Sequence, residues 1–177
     1  MTKLTSTQPK NFNQLNVVNF EVSFSRLPHV EYFCQRITIP SVILGDTFLP
    51  TPFLNAPVEG DTLQFEALTI GFILDEDLKN YQEIYAWMLG LGFPKNFEQF
   101  KELEETTTIS EDASRFSDMD VIFHTNKSNP NYRFTFTDVY PTSLSSVGMD
   151  TTTSTLDPII IDTTFNFKGQ FEIAKIE

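Results

Sequence analysis

The stretch that most constrains the fold joins a strand pattern directly to a helix pattern, and it runs from Asp61 to Pro94. Apolar and polar residues alternate at its start, and late in the run both sets become apolar, which is typical of a strand that ends buried on both faces. Apolar residues then recur at spacings of three and four until Gly90 and Gly92, which predicts an amphipathic helix. The chain is therefore expected to be organised around one strand followed by one helix.

The start and the inner face of this helix can be assigned to individual residues. The acidic triplet that begins at Asp75 offers carboxylate oxygens where a helix N-terminus presents unpaired N–H groups, so Asp75 and Asp77 are predicted to cap the helix. Asn80 is assigned to the solvent face. The apolar face should anchor the helix in the core through Tyr81, Ile84, Trp87 and Met88.

The other segments have the patterns of strands and loops. Residues 19–25 and 32–39 alternate in character and are joined by a turn at Leu27-Pro28-His29, which predicts an antiparallel hairpin. Residues 118–124 and 131–136 predict a second one. The chain is then expected to leave the sheet at Pro141. The last strand, residues 163–174, is about twice the usual length of ~5–6 residues, so it should pair outside its own domain or run along a barrel wall.

Residues 40–60 form a proline-rich segment in which large apolar residues are frequent. A structureless loop of ~20 residues is uncommon within a compact domain and is usually functional. Such a segment can pack on another molecule or close as a flap over its own core, and we favour the first role. Together with three residues of the last strand, the predicted interface set is Val42, Ile43, Leu44, Phe48, Leu49, Phe53, Leu54, Phe165, Phe167 and Phe171.

The length of 177 residues fits one domain, predicted at 17–177, preceded by an N-terminal polar arm at 1–16 and interrupted by an acidic insert at 95–118. The formal net charge of −12 argues against holding nucleic acid through its phosphates. The single cysteine, Cys34, is expected to be a buried thiol. Without a signal segment or a membrane span, synthesis in the cytoplasm is expected.

The sequence shows no constellation that supports catalysis. It has no glycine-rich phosphate loop, no cysteine or histidine pair at metal spacing and no nucleophile elbow, so no enzyme activity, metal or cofactor is predicted. Asp75-Glu76-Asp77 and Asp118-x-Asp120 are weak cation candidates. His29 and His124 are expected to be surface or strand-end residues.

The order of these features resembles the tail tube proteins of contractile-tailed bacteriophages and the inner-tube proteins of contractile injection systems. The resemblance covers nearly the whole chain. The residues that carry it are the opening strand 19–25, Phe33-Cys34 with Thr38-Ile39-Pro40, the proline segment to Gly60-Asp61, the strand ending at Asp75, the Trp87 helix, Val139-Tyr140-Pro141 and the strand 162–173.

This resemblance implies a mainly β fold, namely a two-sheet sandwich or partial barrel with one helix packed against it, whose barrel is completed in a ring oligomer. It further implies rings of six copies that stack into a conduit for DNA. The implied partners are other copies of the chain and sheath, baseplate or neck proteins, in a virion tail without membrane insertion. DNA would pass without specific binding.

Three alternatives remain open from the sequence. The protein could be the repeating tube subunit, an initiator ring at the baseplate or a terminator ring near the head. It could instead be a monomeric β-sandwich that holds a carbohydrate or peptide on Tyr32, Tyr132 and Tyr140. A hydrolase that uses Asp75, Asp77 or His124 is the most remote possibility.

Overall fold

The fold is given by a computed structural model that describes residues 13–92, 94–99, 101, 115–152 and 157–176. The N-terminal polar arm and the acidic insert lie mostly outside the described residues. The elements are β1 (Phe20–Phe24), α1 (Pro28–Phe33), β2 (Cys34–Thr38), β3 (Val42–Pro50), β4 (Asn55–Phe65), β5 (Leu68–Ile73), α2 (Lys79–Gly92), β6 (Ser117–His124), β7 (Pro130–Leu144), β8 (Ile160–Asn166) and β9 (Glu172–Lys175).

The chain is mainly β, as predicted, and its strands form two sheets. Seven strands make the main sheet in the order β1-β6-β7-β8-β5-β2, with β9 pairing onto β7. Among the described strands, β3 and β4 pair only with each other and form a separate two-stranded sheet. The predicted hairpin of β6 and β7 is confirmed.

The long strand β7 connects the two halves of the main sheet. Its first part pairs with β6 and its last part with β8. Between them, Asp138 adopts a positive φ of 53°, a conformation that bends a strand locally. The prediction that the chain leaves the sheet at Pro141 is wrong, because Pro141 pairs with Phe165 and the ladder continues to Leu144 after a register shift.

The hydrophobic core lies between α2 and the two halves of the main sheet that β7 connects. Trp87 is 1% exposed, and its ring lies 6.4 Å from that of Phe165, which in turn lies 5.5 Å from Phe24. Indole Nε1 of Trp87 donates a hydrogen bond to the backbone oxygen of Arg115 at 3.0 Å. Of the predicted helix anchors, Ile84 and Trp87 are buried, whereas Tyr81 and Met88 are half-buried and pack against the core.

The predicted hairpin at the start of the chain is wrong. Pro28 begins the helix α1, where a missing N–H costs nothing and φ is already helical. Val30 of this helix is buried, and a carboxylate oxygen of Glu31 accepts from Phe24 N at 2.9 Å. The helix carries the chain away, so β1 pairs with β6 and β2 pairs with β5.

A buried side chain organises the junction between β5 and α2. The helix begins at Lys79, after a turn in which Leu78 has a φ of 57°. Asn80 is 0% exposed; its Nδ2 donates to Ile73 O at 2.8 Å and its Oδ1 accepts from Asp75 N at 3.3 Å. Assigning Asn80 to the solvent face was therefore wrong, because its amide closes this turn.

The acidic triplet lies in the turn before α2, ahead of the first helical residue. The Asp77 carboxylate lies 2.8 Å from Lys79 Nζ, and this exposed pair lowers the pKa of Asp77 and raises that of Lys79. Capping of the helix by Asp75 and Asp77 stays a prediction.

The last strand is divided. β8 and β9 both run antiparallel to β7, but Gly169, with a φ of 75°, separates them. The predicted barrel-wall strand of residues 163–174 is therefore two shorter strands along one neighbour. Only the first of them has β5 on its other side.

Candidate inter-subunit surface

Residues 42–65 form a β-hairpin, which includes most of the proline-rich segment and which we call the hairpin arm. The register runs from Val42 opposite Phe65 to Pro50 opposite Asn55, with an irregularity between Leu44 and Asp46. The sequence does not reveal these strands because neighbouring apolar residues, as in Val42-Ile43-Leu44 and Phe48-Leu49, interrupt the alternation that is typical of a half-buried strand. The prolines lie at the end of β3, in the turn, and at Pro57 within β4.

The hairpin arm exposes large apolar side chains. Phe53 at the tip is 100% exposed and Phe48 is 60% exposed. A two-stranded hairpin that is not covered by other structure is at best marginally stable in water. The exposed large apolar side chains of the arm are Val42, Ile43, Leu44, Phe48, Leu49, Phe53, Leu54, Val58 and Leu63.

The base of the arm is fixed to the main sheet by aromatic rings. The ring of Phe65 lies 5.5 Å from that of Phe171 and 6.1 Å from that of Phe167. Both partners also contact Phe136 in the core. Phe167 and Phe171 therefore support the arm from the sheet. The prediction that Phe165 lines an interface is wrong, because Phe165 is 0% exposed and belongs to the core.

The arm carries negative charge and no positive charge. Residues 42–65 contain Asp46, Glu59 and Asp61 but no lysine, arginine or histidine. Asp46 and Glu59 lie directly opposite each other across the ladder, an arrangement of like charges that destabilises a hairpin. The exposed surface of the arm is therefore apolar and acidic.

Gly60 is the position at which the arm accepts no side chain. A methyl group on Gly60 would overlap the carbonyl oxygen of Gly45, a backbone atom that cannot move without breaking the ladder. We expect Gly60→Ala to disrupt the arm while the melting temperature of the main domain stays the same, because the arm forms a sheet of its own. Limited proteolysis should detect cleavage within residues 42–65. Gly45→Ala is the matched control, since its methyl group would make an ordinary contact at 3.6 Å; equal cleavage in both variants would contradict this account.

The histidines and the aspartate that were weighed as catalytic or cation-binding candidates contact other side chains of the protein. His29 Nδ1 contacts Glu83, and His124 Nε2 lies 3.7 Å from a carboxylate oxygen of Glu21. Asp120 accepts from Thr135 Oγ1 at 2.7 Å. Within the described ranges, no group of three or more histidine, cysteine, aspartate and glutamate residues is placed to hold a metal ion. No helix in the described part of the chain is long and apolar enough to cross a membrane.

Cys34 is half-buried at the start of β2, and its thiol donates to the backbone oxygen of Arg36 at 3.7 Å. Desolvation by burial raises the pKa of this thiol from 9.0 to about 11. Because the folded-state pKa is raised, the folded protein keeps the neutral thiol at pH 8 and loses stability only as the pH rises from about 9 to 11. We expect iodoacetamide at pH 8 to label the native protein about 100-fold more slowly than the urea-unfolded protein. Equal labelling rates in a mass-spectrometric time course would contradict this expectation.

The aromatic residues considered for ligand binding do not share one cavity. Tyr140 lines a cavity of about 580 Å³ together with Met88, Phe116 and Lys168, and its ring contacts that of Phe116 at 5.8 Å. Tyr132 lies beside a different, smaller cavity. Tyr32 lies on α1 and borders neither cavity. The three rings therefore form no common platform.

Solved structures with a similar fold come from contractile injection systems. A chain in the cryo-EM structure of the tube-terminating cap of the anti-feeding prophage matches with a TM-score of 0.57 at 12% identity, covering 99% of this chain and 100% of that one. A chain in the sheath/tube terminator structure of the extracellular contractile injection system PVC matches with a TM-score of 0.52 at 15% identity, covering 91% and 96%. The fold is thus one found in tube assemblies of contractile injection systems, as the sequence resemblance predicted.

One curated relative matches part of the chain in sequence. The tail tube terminator protein of Enterobacteria phage T4 is 36% identical over 85 residues, which are 45% of this chain and 48% of the relative. The matched region therefore spans about half the length of that relative. No family model matches the chain.

Proposed function

We propose that this protein is a structural component of a contractile tail that closes the end of the tail tube as a terminator ring. Its copies assemble into a ring of six by contacts between sheet edges and through the hairpin arm. The ring stacks on the tube and contacts the neighbouring sheath or neck proteins. Its location is the virion tail, and its role is mechanical, without catalysis or a cofactor.

The observation that carries this proposal is the exposed apolar hairpin arm. Beyond its base at Phe65, which packs on Phe167 and Phe171, the arm pairs with no other described strand, and two-stranded hairpins of this kind are marginal alone. A ring oligomer covers such a surface and also removes the hazard of open sheet edges. The similarity to a tail tube terminator supports the terminator position over the repeating tube subunit and the baseplate initiator.

The negative charge of the chain supports a role as a conduit. A ring of six copies, each with a net charge of −12, repels DNA phosphates. It also has few lysine and arginine side chains that could displace counterions from the DNA. DNA would therefore pass through the ring without being held. Purified rings are expected to retain no double-stranded DNA in a gel-shift experiment, even at 50 mM salt.

The proposal is tested by electron microscopy of the purified protein. A terminator is expected to form rings that do not extend into long tubes, because an end ring presents only one face for stacking. Long tubes would identify the repeating subunit instead. Monomers that persist at high concentration would contradict ring formation altogether.

Charge substitutions at the arm should abolish assembly without unfolding the monomer. We expect Phe48→Asp and Phe53→Asp each to remove rings from micrographs and to leave the melting temperature within about 2 °C, because both side chains are exposed in the monomer. Tyr32→Asp is the matched control, since Tyr32 is an aromatic residue that is 83% exposed outside the arm. Ring formation by both arm variants would show that the arm is not an interface.

A further inference from the structure

The first residues of the chain are opposite in charge to the protein as a whole. Residues 1–12, which we call the N-terminal segment, contain Lys3 and Lys10 and no aspartate or glutamate. The first carboxylate side chain of the chain is that of Glu21, although the complete chain has a net charge of −12. The segment also carries the apolar residues Leu4 and Phe12. It is therefore both basic and partly apolar.

The hairpin arm has the complementary character. Its apolar side chains are exposed, and it holds carboxylates without any lysine, arginine or histidine. Three of these carboxylate residues, Asp46, Glu59 and Asp61, are exposed and line one hollow of about 440 Å³ where Gly45 and Gly60 approach each other. A lysine ammonium placed in this hollow would offset the repulsion between the opposed Asp46 and Glu59.

The N-terminal segment is attached near the base of the arm of its own chain. Asn13, the residue that follows the segment, borders the same cavity as Tyr132. The ring of Phe134, two residues beyond Tyr132, lies 6.0 Å from that of Phe171, which lies 5.5 Å from that of Phe65 at the base of the arm. A short chain of neighbouring side chains thus leads from Asn13 to the arm.

The acidic hollow lies within reach of the segment. Asp46 is four residues beyond Val42, the partner of Phe65, and so ~13 Å further along β3 at ~3.3 Å per residue. The whole path from Asn13 to Asp46 is roughly 35 Å, and twelve extended residues span ~40 Å. Lys3 can therefore reach the hollow, with Leu4 beside the exposed Leu44.

We propose that the N-terminal segment folds back and covers the base half of the hairpin arm of its own chain before assembly, with Lys3 in the acidic hollow. The same chain is favoured over a second copy because a short tether gives an effective concentration on the order of 1 mM, far above that of a dilute protein. This cover goes beyond the proposed function. Where the arm enters a ring, the cover is displaced, so it raises the protein concentration at which rings form.

Hydrogen exchange of the full-length monomer tests the cover. Sedimentation velocity first identifies a dilution at which the chain is monomeric. At that dilution, we expect amides of residues 42–65 to exchange at least fivefold faster in the double variant Lys3→Glu/Lys10→Glu than in the wild type. Lys95→Glu/Lys101→Glu is the matched control, because it makes the same change of charge at exposed lysines outside the segment and the arm. Equal exchange in all three chains would overturn the proposal.

Disulfide trapping within one chain tests where the segment lies. In a Cys34→Ser background, Leu4→Cys is combined with Thr47→Cys, which borders the hollow. We expect the dilute monomer to form an intrachain disulfide, detected by intact mass and by mobility without reductant, at least fivefold faster than the same pair carrying Lys3→Glu/Lys10→Glu. Equal rates would contradict the docking, and disulfides that join two chains would assign the segment to a second copy instead.

Ring formation separates this proposal from the proposed function. We expect Lys3→Glu/Lys10→Glu to form rings at a concentration at least threefold lower than the wild type, because its arm is already uncovered. Loss of rings in that variant with unchanged exchange in the monomer would show that the segment acts between copies, which contradicts the cover. Faster exchange in the variant together with a wild type that never forms rings would support the cover and refute the ring.

Discussion

Replacing Trp87 by alanine is expected to lower the free energy of unfolding of the monomer by about 3–5 kcal/mol, which is a large part of the total for a domain of this size. The indole is 1% exposed, lies against Phe165, and donates a hydrogen bond to Arg115 O. Its removal leaves a cavity where α2 meets the sheet and deprives the Arg115 carbonyl of this part-buried hydrogen bond. Urea unfolding followed by circular dichroism gives the free energy of unfolding for each variant.

Two further variants make the expectation for Trp87 specific. Tyr85→Ala removes an aromatic ring from the same helix, but Tyr85 is 51% exposed, so a loss of less than about 1 kcal/mol is expected. Trp87→Phe keeps most of the apolar volume and loses only the N–H donor, so it should fall between the two. A Trp87→Ala variant as stable as Tyr85→Ala would show that α2 does not close the core.

Local periodicity was enough to predict α2 and the hairpin of β6 and β7. Ile84 and Trp87 recur at helical spacing, and strict alternation with a short turn defines a hairpin whose partners are neighbours in sequence. The mainly β class follows from the same patterns. Each of these features depends on residues close together in the chain, where spacing carries the structural information.

Pairing between distant strands could not be predicted in this way. β1 pairs with β6, about a hundred residues later, and no local pattern distinguishes that partner from β2. The helix α1 interrupts what alternation alone suggested was a direct connection. Asn80 was misassigned for a related reason, since its partners Ile73 and Asp75 belong to the preceding strand and turn.

The composition of the candidate surface was predictable, but its shape was not. Apolar residues between prolines marked residues 40–60 as a segment that packs against something, and the structure leaves Phe48 and Phe53 uncovered. The register of the hairpin brings the backbones of Gly45 and Gly60 close together, and a side chain on Gly60 would prevent this approach. The sequence predicts Phe165 as an interface residue because it lies on the apolar face of a long alternating strand. Alternation does not tell whether that face is covered by α2.

Asn80 provides the second large expected effect, because a polar group rather than an apolar one is buried at the junction of β5 and α2. Asn80→Leu preserves the size of the side chain and removes both of its hydrogen bonds to the preceding segment. Ile73 O and Asp75 N would then lose their partners in a partly buried environment, at a cost of ~1–3 kcal/mol each. We therefore expect the free energy of unfolding to fall by about 2–5 kcal/mol in urea titrations.

Gln82→Leu is the matched control for this substitution, because Gln82 is exposed two residues further along the same helix. Leucine is at least as good a helix former as glutamine and asparagine, so helix propensity cannot explain a loss in either variant. The control should stay within about 0.5 kcal/mol of the wild type. If Asn80→Leu were equally neutral, the strand-to-helix turn would be held by apolar packing alone, and the left-handed conformation of Leu78 would need another source of support.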